Sequence, residues 1–230
     1  MIDCREWMLE NSTHSSVQLI DCMGSDRSVV NSARVSYAKD ELTKKELDER
    51  DRKLIFYLAK NKHTSPFNHA FASFKVEAPI FVARQLVKHE YLVWNEVSRR
   101  YTDKDLKFFN VQGWGKQDNN NKQGTGEPLS DRDQRLCTVA YQNLVYTAYT
   151  CYKSLLAVGV SKEDARMVLP QSTMTEWYWS GSLGAFAKMC KLRLDSHSQH
   201  YTRVIAEKIS KHMSREFPIS WEALLQENII

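Results

Sequence analysis

RQLVKHEYLVWNEVSRRY (Arg84–Tyr101) is the stretch on which the reading of this chain turns. It packs Arg84, Lys88, Arg99, Arg100, His89, Glu90, Glu96, Gln85, Asn95 and Ser98 among Leu, Val, Trp and Tyr. A solvated helix face does not need so many aliphatic and aromatic side chains. A core helix does not tolerate so many charges unless each meets a partner. The mixture predicts a wall of a ligand site, and its cations predict a phosphate-bearing ligand. Pro79 suits a first helical turn, which predicts a helix through the stretch with Trp94 and Asn95 near its end. On such a helix Arg84 and Lys88 are neighbours, as are Gln85 and His89. Gln85, Lys88 and His89 then face one pocket, while Ile80, Ala83 and Val87 pack inward. Ser98, Arg99 and Arg100 offer a hydroxyl and two guanidinium forks, a set that fits a phosphate oxyanion. Glu96 can accept from a sugar hydroxyl or orient an Arg. A solvated basic helix end with a surface ion pair is the competing reading.

Upstream, VQLIDC (Val17–Cys22) reads as a strand. Asp26 can cap a helix to about Ser36, with Val29, Val30, Ala33 and Val35 on its apolar side. Thr43-Lys-Lys-Glu46 is a capping-box pattern that opens a helix to about Asn61, with Leu47, Leu54, Ile55 and Leu58 buried. Ala70–Val76 reads as a strand. Downstream, the polar Gln112–Ser130 reads as a mobile surface loop. A long helix runs from Ser130 to about Val158 and is closed by Gly159; Ser161 caps a short helix before Pro170. Met174–Trp179 is extended. Helices follow at about Leu183–Leu194 and Ser198–Phe217, with another after Pro218. Short strands among longer helices give an α/β or α+β class: a short-stranded sheet flanked by helices, one domain over residues 1–230, without internal repeats.

The 230 residues are enough to bury a core, and 42% hydrophobic with 26% charged is ordinary globular composition. A net charge of +4 is too mild to predict nucleic-acid binding. The five cysteines, at 4, 22, 137, 151 and 190, form no C-x-x-C and no zinc spacing, which predicts free thiols in a reducing cytoplasm. No apolar leader opens MIDCREWMLE, and no apolar run is long enough to span a membrane. The glycines match no dinucleotide or P-loop fingerprint.

Three further constellations stand out. His63-Thr-Ser-Pro-Phe-Asn-His69 places two His around a Pro turn; as a metal pair it lacks a clear third ligand, so a turn is the better reading and no metal is expected. Arg166 sits in the apolar run Ala165–Pro170, where a buried Arg needs an anionic partner and a snorkelling Arg does not. In Leu192–His200, Arg193 and His197 are i,i+4 if helical, and Asp195 can start the next helix; a plain helix junction is the alternative.

Taken together and in order, these segments resemble the flavin-dependent thymidylate synthases over about Val17–Pro218. The family signature is Arg-His-Arg, seven residues, then Ser, commonly followed by Arg-Tyr. This chain has Lys88-His89-Glu90, seven residues, Ser98 and Arg99-Arg100-Tyr101. Ala78–Gln85, Asn95-Glu96, Ala33-Arg-Val-Ser36, His63–His69, Ala165–Pro170 and Leu192–His197 are also similar to the family. The resemblance implies reductive methylation of dUMP to dTMP, with methylenetetrahydrofolate giving the carbon, NADPH the reducing equivalents and FAD mediating. It also implies a homotetramer with active sites shared between subunits, with no nucleic-acid or membrane partner.

Residue roles carried over by the resemblance put dUMP against Gln85, Leu86, Val87, Lys88, Glu96, Val97, Ser98, Arg99, Arg100 and Arg166, with Glu96 where dUMP and flavin meet. Arg193 is the expected catalytic residue, at the uracil edge, where a fixed cation stabilises negative charge on the pyrimidine and makes C5 more nucleophilic. Ser98 is expected to bind and not to attack. FAD is expected against Ser36, His63, Ser65, Asn68, Lys88, His89, Glu90, Glu96, Ser182, Leu183, Gly184, Lys188 and His197. The chain departs from the family at several of these positions. Lys88 and Glu90 replace the signature arginines, Ser182-Leu183-Gly184 replaces a common Asn-Ala-Arg, Lys188 replaces Asn, and Asn68 replaces Glu. A related enzyme forming a hydroxymethyl pyrimidine nucleotide, or a nucleotide-binding homologue without catalysis, would use the same dUMP residues.

Overall fold

The structure, a computed structural model, describes residues 4–36, 46–119, 121–122 and 124–226. In chain order its elements are α1 (Cys4–Asn11), β1 (Ser12–Thr13), β2 (Ser16–Met23), α2 (Asp26–Val35), α3 (Glu49–Lys60), β3 (Phe71–Pro79), α4 (Ile80–Leu86) and β4 (Leu92–Glu96). There follow β5 (Phe108–Phe109), β6 (Gly115–Gln117), β7 (Thr125–Pro128), α5 (Asp131–Ala157), α6 (Lys162–Ala165), β8 (Met174–Ser182), α7 (Leu183–Leu194), α8 (His200–Glu216) and α9 (Pro218–Gln226). Short 3-10 turns cover Ser65–His69 and Arg166–Val168. The mixed helix-and-sheet class is as expected. Four strands pair in the order β2–β3–β8–β4.

Two compact units share the chain: one comprises residues 1–16, 76–87 and 95–177, the other 17–75, 88–94 and 178–230. The first unit is built on α5. Its N-cap is Ser130, whose Oγ accepts from the Asp133 N–H at 3.2 Å. Its C-terminus closes on Gly159 at φ 92°, with the Gly159 and Val160 amides returning to Leu156 and Leu155, a Schellman ending. Met8, Leu106, Phe108, Val145, Tyr152 and Ala165 form its core, with Trp7 and Tyr149 packed against them.

Gln112–Ser130 is not the structureless loop expected. β6 and β7 pair antiparallel within it. Trp114 anchors it to α5, its indole N–H donating to Thr138 Oγ1 at 3.1 Å and its backbone N–H to Gln134 Oε1 at 2.8 Å. The segment's polarity concealed its single anchoring aromatic.

The second unit holds β2 and helices α2, α3, α7, α8 and α9. Phe74, Trp179 and Phe186 stack edge-on at its centre, and Ile55, Leu183, Met189, Ile205, Ile209, Met213 and Phe217 are fully buried around them. The expected α2 cap is corrected. Ser25 holds the N-cap position, and buried Asp26 accepts from the backbone N–H groups of Ile219 and Ser220 at 2.9 and 2.8 Å. A carboxylate there satisfies the first turn of α9, where the helix dipole favours negative charge. Val35, expected to be buried, is exposed. Helix α3 begins at Glu49, not Thr43; its capping box is Asp48 with Asp51. Residues Thr43 to Lys45 lie outside the described residues.

The largest correction falls on Arg84–Tyr101. Helix α4 ends at Leu86, and Leu92–Glu96 is the strand β4. Tyr91, at φ 63°, turns the chain between them. Leu92-Val93-Trp94 is a β-branched and aromatic run that fits a half-buried strand better than a helix. Gln85 and His89 are therefore not helical neighbours, and neither are Arg84 and Lys88. Gln85–Val87 and Asn95–Tyr101 belong to the first unit, Lys88–Trp94 to the second.

Candidate functional site

The first unit brings Glu96, Val97, Ser98, Arg99, Arg100 and Arg166 around one cavity of about 420 Å³, with Ile80, Leu169, Met174 and Thr175 completing its wall. The end of β4 delivers Glu96, whose Oε1 accepts from Thr175 Oγ1 at 2.6 Å. The turn after β4 presents Ser98–Arg100, and the 3-10 turn after α6 presents Arg166. Ser98 Oγ accepts from the backbone and Nε of Arg100, at 3.3 and 3.4 Å. Arg166 donates through Nε to the Glu163 carbonyl at 3.2 Å, so it is neither buried nor idle. The terminal amino groups of Arg100 and Arg166 have no hydrogen-bond partner among the described residues, leaving two guanidinium forks for an anion. Arg99 differs: its guanidinium donates to the carbonyls of Lys104 and Asp105 at 2.6 and 3.3 Å, which pins the turn. Leu86 is core, so only its backbone can meet a ligand; Gln85 and Val87 flank it at the end of α4.

The second unit contains a cavity of about 900 Å³. Of the expected flavin residues, His63, Asn68, Ser182, Gly184 and Lys188 line it. Leu58, Phe67 and Phe71 give it apolar walls, and Lys62, Lys188 and Lys191 give it cations. No carboxylate is among the described residues lining it. Ser182 N-caps α7, its Oγ accepting from the Ala185 N–H at 3.2 Å and donating to Asn68 Oδ1 at 2.7 Å. A Cβ on Gly184 would stand 2.7 Å from that same Asn68 oxygen. The two departures at 68 and 184 therefore fit one another: a glycine admits the asparagine. Glu90 pairs with Lys188 at 3.6 Å between exposed side chains.

His89 Nε2 accepts from Arg193 Nε at 2.9 Å. Accepting there requires a neutral ring with its proton on Nδ1. Burial, then Arg193 and Lys188, hold the His89 pKa down to about 4. Helix α7 ends at Leu194, so Arg193 and His197 are not a helical pair, and Asp195 does not start α8. Asp195 instead closes a turn, Oδ1 accepting from the His197 N–H at 2.8 Å and meeting its Nδ1 at 2.9 Å. Ser36, Ser65 and Leu183 are not in the cavity wall; Leu183 is core, and Ser36 ends α2. Lys62, Tyr91, Lys191 and Thr175 were not singled out from the sequence. Lys62 adjoins His63 and could have been; Thr175 lies in a strand whose alternation carries no such signal.

Residues 18–219 match the family described as "Thymidylate synthase complementing protein". Flavin-dependent thymidylate synthases are similar over nearly the whole chain. The protein from Kosmotoga olearia is 38% identical over 213 residues, covering 91% of this chain and 89% of its own length. That from Thermus thermophilus is 38% identical over 207 residues, covering 90% and 74%. Among solved structures, the UMP/dUMP methylase PolB of Streptomyces cacaoi, bound with 5-Br dUMP, superposes with a TM-score of 0.83 at 29% identity, covering 94% of this chain and 96% of its own.

Proposed function

The chain belongs to the thymidylate synthase complementing protein family, and from that premise we infer that it is a flavin-dependent thymidylate synthase, methylating dUMP to dTMP. Methylenetetrahydrofolate supplies the carbon and NADPH the reducing equivalents. FAD, when bound, would carry those reducing equivalents from NADPH to the transferred one-carbon unit. The convergence of Ser98, Arg100 and Arg166 on one cavity, with the terminal amino groups of both arginines unbonded among the described residues, carries the nucleotide assignment.

In this reading Arg100 and Arg166 take the dUMP phosphate bidentately, Ser98 positions Arg100 and donates its hydroxyl, and Glu96 receives a ribose hydroxyl. Arg99 holds the turn from behind. Arg193, oriented by neutral His89, meets the pyrimidine edge and stabilises charge at N3. The second unit's cavity fits FAD by its own residues: apolar walls for a planar ring, a lysine rim for phosphates, and no carboxylate among the described residues lining it. His63, Asn68, Ser182 and Lys188 hold the cofactor there, and Glu90 of the Lys88–Glu90 turn reaches it through Lys188. A homotetramer with shared active sites brings residues of several copies to one nucleotide. The 230 residues act as one functional domain, in the cytoplasm; no described helix is long and apolar enough to cross a membrane.

Titration of dUMP into the FAD-loaded protein tests the assignment. Arg100→Ala and Arg166→Ala each weaken dUMP by about 1.5–3 kcal/mol, the range for hydrogen bonds to charged groups. Unchanged affinity in both would place the phosphate elsewhere.

A further inference from the structure

Two of this chain's helices end in the same way with different residues at the turning position. At the end of α5 the left-handed residue is Gly159, with the following amide returning to Leu155. At the end of α3 the C-cap is Asn61, the Lys62 N–H returns to the Ala59 carbonyl at 3.0 Å, and the His63 N–H returns to Leu58 at 2.9 Å. That is also a Schellman ending, yet its left-handed residue is Lys62, at φ 58°. Lysine there crowds its Cβ against the backbone, a cost glycine does not carry.

Lys62 has no ion-pair partner among the described residues that would account for it, and it lines the 900 Å³ cavity. Tyr91, at φ 63°, is a second left-handed side chain in the same wall. Asp105 is the remaining non-glycine residue with positive φ among the described residues. Backbone strain of this kind persists where the side chain it displays has a use. The use open to Lys62 is electrostatic. Its neighbours in the wall are Lys188 and Lys191, with His63 and the Ser182–Ala185 turn of α7, and none of the described residues lining the cavity is a carboxylate. Lys188 is drawn to Glu90.

We propose that Lys62 is a phosphate-binding residue of the flavin cavity, retained against its backbone preference because its ammonium contacts the cofactor's diphosphate. The proposal rests on the cavity's assignment to FAD. It makes fold and function pull in opposite directions at one residue, which a structural or solvated lysine would not do.

The purified protein and its Lys62→Gly and Lys62→Arg variants are titrated with FAD and with riboflavin, which has no phosphates, and their flavin-free melting temperatures are measured. Lys62→Gly melts higher by about 2–4 °C, as release of a left-handed side chain predicts. It nevertheless binds FAD about tenfold more weakly, the scale of one charge-assisted contact. Its riboflavin affinity is unchanged, and Lys62→Arg keeps FAD affinity near wild type. Equal FAD affinity in wild type and Lys62→Gly overturns the proposal while leaving the cofactor reading intact, as does an equal loss of FAD and riboflavin. A wild-type protein that binds neither flavin overturns the cofactor reading itself, and this proposal with it.

Discussion

Arg193 donates its Nε–H to His89 Nε2 across 2.9 Å, joining the end of α7 to the turn after α4. The bond fixes the guanidinium plane at its Nε edge. His89→Ala removes the acceptor of that bond, lowering kcat/KM for dUMP about five- to tenfold, a partly exposed charged hydrogen bond being worth about 1 kcal/mol. His89→Gln, whose amide oxygen can accept in the same place, retains most activity. Equal losses in both variants would mean that the ring, and not its acceptor, is what matters.

The same pair sets a pH dependence. Burial, then Arg193 and Lys188, hold the folded His89 pKa at about 4 against an ordinary 6.5. The unfolded chain therefore binds a proton in the window between those values that the folded chain does not. Stability is full above pH 6.5 and falls as the pH drops toward 4. Melting temperature followed across that window should decline for the wild type and decline less for His89→Gln. Parallel curves would exclude His89 as the titrating group.

Asp51 is fully buried between two arginines, with Arg27 and Arg34 each 2.6 Å away. Burial opposes its charge, but the Asp48 N–H, Arg27 and Arg34 outweigh that and keep its pKa below the usual 3.8. Asp51→Asn leaves two cations facing each other between α2 and α3. Denaturant unfolding should show a loss of about 3–5 kcal/mol, the cost of breaking one side of a buried ion pair. A loss under 1 kcal/mol would mean that water already screens the triad.

Gly184→Ala sets a methyl against Asn68 Oδ1, which would stand 2.7 Å away. The asparagine must move, and its bond from Ser182 Oγ at the α7 cap loosens with it. The expected cost is about 1–3 kcal/mol. Asn68→Ala made alongside should recover part of it, so the double variant is less destabilised than the sum of the singles. Additive losses in thermal unfolding would show that the two positions do not communicate.

Much of this was legible in the residues. Ser98, Arg100 and Arg166 offered an anion-ready set before any geometry, but a solvated basic helix end and a snorkelling arginine fitted the same residues. The glycine end of α5 was visible from capping chemistry. The course of Arg84–Tyr101 was not. Its charges have helical spacing, but the left-handed Tyr91 and the β-forming Leu92–Trp94 prevail, and neither shows in a charge pattern. Asp26 misled because a carboxylate before an apolar run caps its own helix as readily as a distant one; here it caps α9. Lys62 was passed over because a lysine at a helix end is ordinary until its backbone angle is known.

The most direct test is analysis of the nucleotide formed by the purified, FAD-supplemented protein from dUMP, methylenetetrahydrofolate and NADPH. The account predicts dTMP, formed only when FAD is present and lost in Arg193→Ala. A flavin-loaded protein that returns dUMP unchanged, or yields a hydroxymethyl product instead of dTMP, would contradict it.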